Sequence, residues 1–143
     1  MRILVVGAGG VGSAFAAIAS HRRFFDALVL ADIDAARAGR TVDRLGDARM
    51  NAVALDASSP GAVTEAIEAH RVDIVLNAAD PRFVMPIFEG CFAAGATYLD
   101  MAMSLSQPHS DRPYEECGVK LGDEQFAVSA QWEDRGLLAL GGM

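Results

Sequence analysis

Short apolar runs and stretches of helical spacing alternate along this chain from one end to the other. Residues 3–6, Ile-Leu-Val-Val, form a continuous apolar run bounded by glycine, the pattern of a strand buried on both faces. A second run at 27–31 ends in Asp32, a third at 51–56 ends in Asp56, and a fourth at 72–76 leads into Asn77. Shorter runs at 97–100 and 137–140 predict a fifth and a sixth strand. Between the first two runs, Val11, Phe15, Ile18 and Ala19 recur at helical spacing and predict a helix that buries them. Residues 34–45 predict a second helix with Arg37, Arg40 and Arg44 in solvent, so that Arg37 reads as a surface arginine in preference to a phosphate ligand. A serine cap at 58–59 and Pro60 at the first position open a third helix, which buries Val63, Ala66 and Ile67 and ends near His70. Asp80 and Pro81 open a fourth in the same way, with Phe83, Ile87, Phe88, Cys91 and Phe92 inward, Pro86 bending its first turns and Gly95 ending it. Residues 104–122 are polar and carry Pro108 and Pro113, the marks of a long loop, and 123–135 predict one last helix.

Strand–helix alternation of this kind requires a parallel sheet covered on both faces, because parallel neighbours need long crossovers. Right-handed crossovers then give a doubly wound α/β domain, a Rossmann fold, with strand order 3-2-1-4-5-6. Residues 1–143 are one domain's worth of chain. Ligands of such sheets sit at the carboxyl ends of the strands, so loops 7–12, 32–34, 56–57, 77–80 and 100–103 are expected around the site.

The first of those loops carries the most specific chemistry. Gly7, Gly9 and Gly12 stand in the spacing G-x-G-x-x-G, between a predicted strand and a predicted helix. The first glycine permits the tight turn, the second lets backbone approach a pyrophosphate, and the third lets the helix pack closely on the strand. Free N–H groups at the helix start and the helix dipole supply an anion site. Asp32 lies 20 positions after Gly12, where this fold places the carboxylate that accepts hydrogen bonds from the adenosine ribose.

Composition narrows the partners. Formal net charge is −7, which excludes nucleic acid and anionic membrane surfaces as natural targets and leaves a dinucleotide's phosphates to local N–H groups. Apolar residues make up 52% of the chain, enough for a core and no disordered tail. Cys91 and Cys117 are far apart, and His21, His70 and His109 are scattered, so neither a disulfide framework nor a metal site is expected. Arg2 followed by the nearly uncharged stretch 3–20 superficially resembles a secretory signal, but the glycines at 7, 9, 10 and 12 and the β-branched run fit a strand. The chain therefore reads as a cytoplasmic protein.

Three segments together resemble one family. The opening Ile-Leu-Val-Val-Gly-Ala-Gly-Gly-Val-Gly, the strand end Leu76-Asn77-Ala78-Ala79 and the segment Gly95-Ala96-Thr97-Tyr98-Leu99-Asp100 are similar to the N-terminal domain of saccharopine dehydrogenases and their relatives, including carboxynorspermidine dehydrogenases. The likeness covers essentially the whole chain, and its fifth-strand segment is more specific than its glycine motif. The resemblance implies a nicotinamide-dependent oxidoreductase that acts on the CH–NH bond of an amino-acid or polyamine conjugate. It places the phosphate loop at Gly7, Gly9, Gly10, Val11 and Gly12, the adenosine ribose at Asp32 and Ile33, and the adenine near Asp56 and Ala57. It brings Asn77 and Ala78 toward the nicotinamide, with Asp100 and Met101 in the loop after the fifth strand. NADP-using members tend to carry an arginine just after the second strand, where this chain has Asp32-Ile33-Asp34, so NAD is expected over NADP. The family continues into a substrate domain, whereas this chain ends at Gly141-Gly142-Met143. A cofactor-binding half is therefore expected, with a small amine or amino-acid substrate held by the missing domain, and with an uncovered wall able to drive homodimer formation.

A regulatory nucleotide-sensing module of the potassium-transport type begins in the same way and is the alternative. The sixth strand and the Tyr98-Leu99-Asp100 segment favour the dehydrogenases. A methyltransferase shares the glycine turn and the acid, but the full G-x-G-x-x-G spacing favours a dinucleotide. No catalytic acid or base is assigned from the sequence: Asp100 reads as a buried cap and Tyr98 as a core residue.

Overall fold

The three central strands lie in parallel register, with Leu4 opposite Val29 on one side and Val75 on the other. The computed structural model describes residues 1–142, and these form a six-stranded sheet of order β3-β2-β1-β4-β5-β6. The strands are β1 (Arg2–Val6), β2 (Ala27–Asp32), β3 (Met50–Ala54), β4 (Ile74–Asn77), β5 (Thr97–Asp100) and β6 (Ala139–Leu140), and every pairing is parallel. The long helices are α1 (Gly10–Ser20), α2 (Ala35–Leu45), α3 (Pro60–His70) and α4 (Val84–Ala94).

Strand residues divide by parity between two cores. Ile3, Val5, Leu28 and Leu30 meet Ala16, Ala19 and Ala38 of α1 and α2 on one face. Leu4, Val6, Val29 and Val75 meet Val63, Ile67, Ile87 and Phe88 of α3 and α4 on the other. Burial on both faces explains why these strands are continuously apolar instead of alternating. Caps fix where the helices begin. Asp34 accepts from the N–H groups of Ala36 and Arg37 at 3.0 and 3.2 Å, and Ser59 accepts from Ala62 at 3.2 Å, with Pro60 following it.

Four expectations change. In α1 the buried residues are Gly12, Ala16 and Ala19, whereas Val11 and Ile18 are exposed. The helix lies so close to β1 that its innermost positions accept only small side chains; Ala19 is buried as expected, Phe15 packs partly buried at the edge of the core, and Val11 and Ile18 are turned outward. The fourth helix opens as a 3-10 turn at Pro81–Phe83, and α4 begins at Val84. Pro86 then falls within the first turn of α4, where no intrahelical N–H bond is lost. The last helix is two short ones, α5 (Asp123–Phe126) and α6 (Ser129–Asp134). Gln125 is held by polar bonds near the end of β5, while Trp132 is drawn among Phe88 and Phe92, and no apolar stripe runs through both anchors. The loop 104–122 contains one antiparallel bridge, Gln107 to Val119, and β6 shrinks to two residues. Cys91 is fully buried, and burial pushes its thiol far above the usual range, so it behaves as a core residue.

Candidate functional site

The carboxyl ends of β1, β2 and β4 open into a cleft of about 330 Å³. Gly7 and Gly9 form its floor, Asp32, Ile33 and Arg37 one wall, Asp56 and Ala57 a second, and Ala78, Ala79, Asp80 and Phe83 a third. A larger groove of about 420 Å³ runs past Trp132 and Leu138, away from the glycine turn, and includes none of the residues expected to bind a cofactor.

The three glycines occupy different surroundings. Gly7 has φ +104°, and a Cβ there would stand 2.7 Å from the Ala78 carbonyl oxygen. A Cβ on Gly12 would stand 1.8 Å from the Gly7 carbonyl oxygen, so the start of α1 touches the turn backbone to backbone. A Cβ on Gly9 would meet nothing within 4 Å. The second glycine is therefore dispensable for folding, and the space above it belongs to the cleft. Beside that space the N–H groups of the first turn of α1, from Gly10 through Val11 to Gly12, have no carbonyl to bond within the helix. An open hollow lined by such donors fits a pyrophosphate.

Asp32 ties this turn to the second strand. It is 8% exposed, and its Oδ2 accepts the Ala8 N–H at 2.8 Å while its Oδ1 accepts the Asp34 N–H at 2.9 Å. A carboxylate has about four lone-pair sites. One site on each oxygen therefore stays available for the two hydroxyls of a ribose. Arg37 is exposed, as expected of a surface arginine, and its Nη1 also lies 3.6 Å from Asp32 Oδ1, where it contributes to the cleft wall. The N-capping duty of the next acid, Asp34, places Arg37 one helical turn away and aims it back toward Asp32.

The other acids of the wall are also engaged. The Ser58 hydroxyl and N–H hold the Asp56 carboxyl below its usual range, and the Arg82 guanidinium and N–H do the same for Asp80. Three carboxylates against one arginine make this wall a poor place for additional phosphate.

Asn77 and Asp100 turn their side chains into the protein. Asn77 accepts the Ala79 N–H at 3.0 Å and donates from Nδ2 to the Tyr98 hydroxyl at 3.0 Å. That hydroxyl donates to Asp100 Oδ2 at 2.7 Å, which also accepts from Gln125 Nε2 at 3.2 Å, and Asp100 Oδ1 accepts the Gly142 N–H at 2.8 Å. Burial and the neighbouring carboxylate hold Tyr98 protonated far above the usual tyrosine range. This chain of bonds fixes the backbone at Ala78 and Ala79 against the glycine turn. Met101 is exposed beyond β5 and outside the cleft wall. Gly7, Gly9, Asp32, Ile33, Asp56, Ala57 and Ala78 are thus gathered in one cleft, with Gly10, Val11 and Gly12 adjoining it. Asp80 lies in the loop 77–80 expected around the site, whereas Phe83 was missed as a wall residue because its apolar side chain reads as part of a buried helix face.

A family model, saccharopine dehydrogenase NADP binding domain, matches residues 3–140. The chain belongs to this family. It is a nicotinamide-dinucleotide-binding domain of the oxidoreductase type. Among curated proteins, carboxyaminopropylagmatine dehydrogenase of Synechocystis sp. is 28% identical over 139 residues, which cover 97% of this chain and 33% of that protein. The chain thus spans about a third of the relative's length. Apo saccharopine dehydrogenase (L-Glu forming) from Saccharomyces cerevisiae shares the fold with a TM-score of 0.71 at 11% identity, over 99% of this chain and 27% of that one. A short chain dehydrogenase/reductase from Burkholderia phymatum, solved in complex with NAD, gives 0.61 at 23% identity, over 97% of this chain and 63% of that one. Among the described residues no cluster of His, Cys, Asp and Glu is able to hold a metal, and no helix is long and apolar enough to cross a membrane.

One prediction concerns Asp32. Asp32→Asn keeps the shape but replaces one acceptor by a donor, so either Ala8 or Asp34 loses its partner and the ribose loses a charge-assisted bond. NADH affinity measured by titration calorimetry is expected to fall by about 1.5–3 kcal/mol, roughly 10- to 150-fold. Unchanged affinity would remove Asp32 from the ribose site.

Proposed function

We propose that this domain binds NAD, in preference to NADP, for an oxidoreductase acting on the CH–NH bond of an amino-acid or polyamine conjugate. The observation that carries the reading is the open space over Gly9 beside the half-used carboxylate of Asp32. The family and the dehydrogenase relative support it, the relative's name being that of a polyamine-type substrate. Bound in the cleft, the nicotinamide supplies the hydride chemistry. The chain's own groups position it: the first turn of α1 for the pyrophosphate, Asp32 and Ile33 for the ribose, Asp56 and Ala57 for the adenine. The backbone at Ala78, held by Asn77, faces the nicotinamide end. Cytoplasmic residence fits the two unpaired cysteines.

Cofactor choice follows from charge. A 2′-phosphate beside the ribose would stand next to Asp32 and Asp34, whose charges the exposed Arg37 and Arg40, at 3.6 and 3.9 Å, offset only in part. Titration calorimetry is expected to show NADH binding at least about tenfold more tightly than NADPH, a difference of roughly 1.4 kcal/mol. Equal affinity, or tighter NADPH, would overturn the preference and make Arg37 a phosphate ligand.

A further inference from the structure

The helices cover the two faces of the sheet unequally. On the face of α3 and α4, α6 packs as well, through Trp132 against Phe88 and Phe92, so the sheet is covered out to β6. On the other face α1 and α2 cover β1, β2 and β3, and among the described residues no helix continues that layer over β5 and β6. Register shows which side chains this leaves bare. Ile3 and Leu76 belong to the core under α1; Ile74 stands beside Ile3, Leu99 beside Leu76, and Leu140 beside Leu99. Leu137 and Ala139 pack on the core of α3 and α4. Alternation therefore turns Leu138 and Leu140 to the opposite face, where they are 52% and 43% exposed.

The flank of α1 that borders this bare floor is apolar too. Ser13 bonds Thr41 of α2 at 3.2 Å, and at about 100° per residue Val11, Phe15 and Ile18 fall on the flank away from α2. Ile18 is 62% exposed, and no residue of α1 carries a charge. An apolar ridge and an apolar floor thus lie side by side on one face. Charges of opposite sign flank them. Arg22 and Arg23 follow the ridge, and Glu133 and Asp134 precede the floor, both pairs at the amino edge of the sheet. All four are exposed and form no salt bridge among the described residues. A two-fold axis along the strands, between ridge and floor, lays each ridge on the other copy's floor. The same axis brings each pair of arginines to the other copy's acids. The face is therefore complementary to itself, as an isologous interface requires.

We propose that this face joins two copies of the chain, α1 of each occupying the helix-free half of the other's sheet. The exposed leucines and Ile18 then leave water, which is the driving force for contact. Ile18 and Leu138 meet toward the amino edge, at the opposite end of α1 from the glycine turn.

Sedimentation velocity of the full chain from about 1 to 200 µM tests this, with a monomer–dimer equilibrium of Kd about 1–50 µM expected. Ile18→Asp and Leu138→Asp are each expected to weaken it at least about tenfold. Both side chains are exposed, so the melting temperature of the dilute monomer is expected to stay level, which separates lost association from lost folding. A mixture of Ile18→Cys and Leu138→Cys chains, each also carrying Cys117→Ser, tests the geometry directly. Mild oxidation is expected to link position 18 of one chain to position 138 of the other. A monomer at about 200 µM, a dimer indifferent to both aspartates, or linkage of 18 to 18 in preference to 138 would each overturn the proposal.

Discussion

Gly9→Val is expected to abolish dinucleotide binding in a protein that still folds. The backbone at Gly9 has φ −74° and ψ −160°, extended values open to any residue, and its Cβ position is free of neighbours. Valine therefore forms no clash within the protein. Its methyl groups enter the cleft where a pyrophosphate must approach the first turn of α1. A loss of at least about 100-fold in NADH affinity, some 2.7 kcal/mol, is expected by titration calorimetry, with a melting temperature within a few degrees of the parent. Normal NADH binding by this variant would show that the turn is purely structural.

Three residues further on, the smallest change has the opposite result. Gly12→Ala places a Cβ 1.8 Å from the Gly7 carbonyl oxygen and 3.2 Å from Val5 Cγ1. The first obstacle is backbone that is itself fixed, since the Gly7 N–H bonds the Ala31 carbonyl at 2.7 Å and Ala78 bonds Val6 at 2.8 Å. Relief requires α1 to lift from the sheet, which opens the core around Ala16 and Ala19. Urea unfolding is expected to show a loss of more than about 3 kcal/mol, at the upper end for overpacking. An unchanged midpoint would contradict the close contact between helix and turn. The two variants separate the glycine that makes room for a ligand from the glycine that makes room for the fold.

Strand order and the cleft were legible because they depend on features local to the chain. Apolar runs bounded by Gly, Ser-Pro and Asp-Pro marked β1 to β5 and α1 to α4, and the parallel order follows from crossovers. Gly7, Gly9 and Asp32 have fixed spacing, so their convergence follows once β1 and β2 are neighbours. The inner face of α1 was not legible. Periodicity selects Val11 and Ile18 along with Phe15 and Ala19, whereas contact with β1 buries Gly12, Ala16 and Ala19, leaves Phe15 partly buried and turns Val11 and Ile18 out. Nor was the break between α5 and α6, which is set by partners distant in sequence: Asp100 and Ser104 for Gln125, Phe88 and Phe92 for Trp132. Arg37 is exposed, as its place in a charged stripe implies, but its contact with Asp32 depends on how α2 leaves β2 and was not legible. Asn77 and Asp100 fall at strand ends, as the sites of this fold do, but their polar atoms are consumed by Tyr98, Ala79, Gln125 and Gly142. Their influence on a ligand runs through the backbone they hold.

The most direct measurement is a crystal structure of this chain grown with NADH. The pyrophosphate is expected over Gly9 against the N–H groups of 10–12, with both adenosine ribose hydroxyls on Asp32 and the nicotinamide beside Ala78. A dinucleotide lodged instead in the groove past Trp132, or an ordered cleft left without one at saturating NADH, would contradict the account.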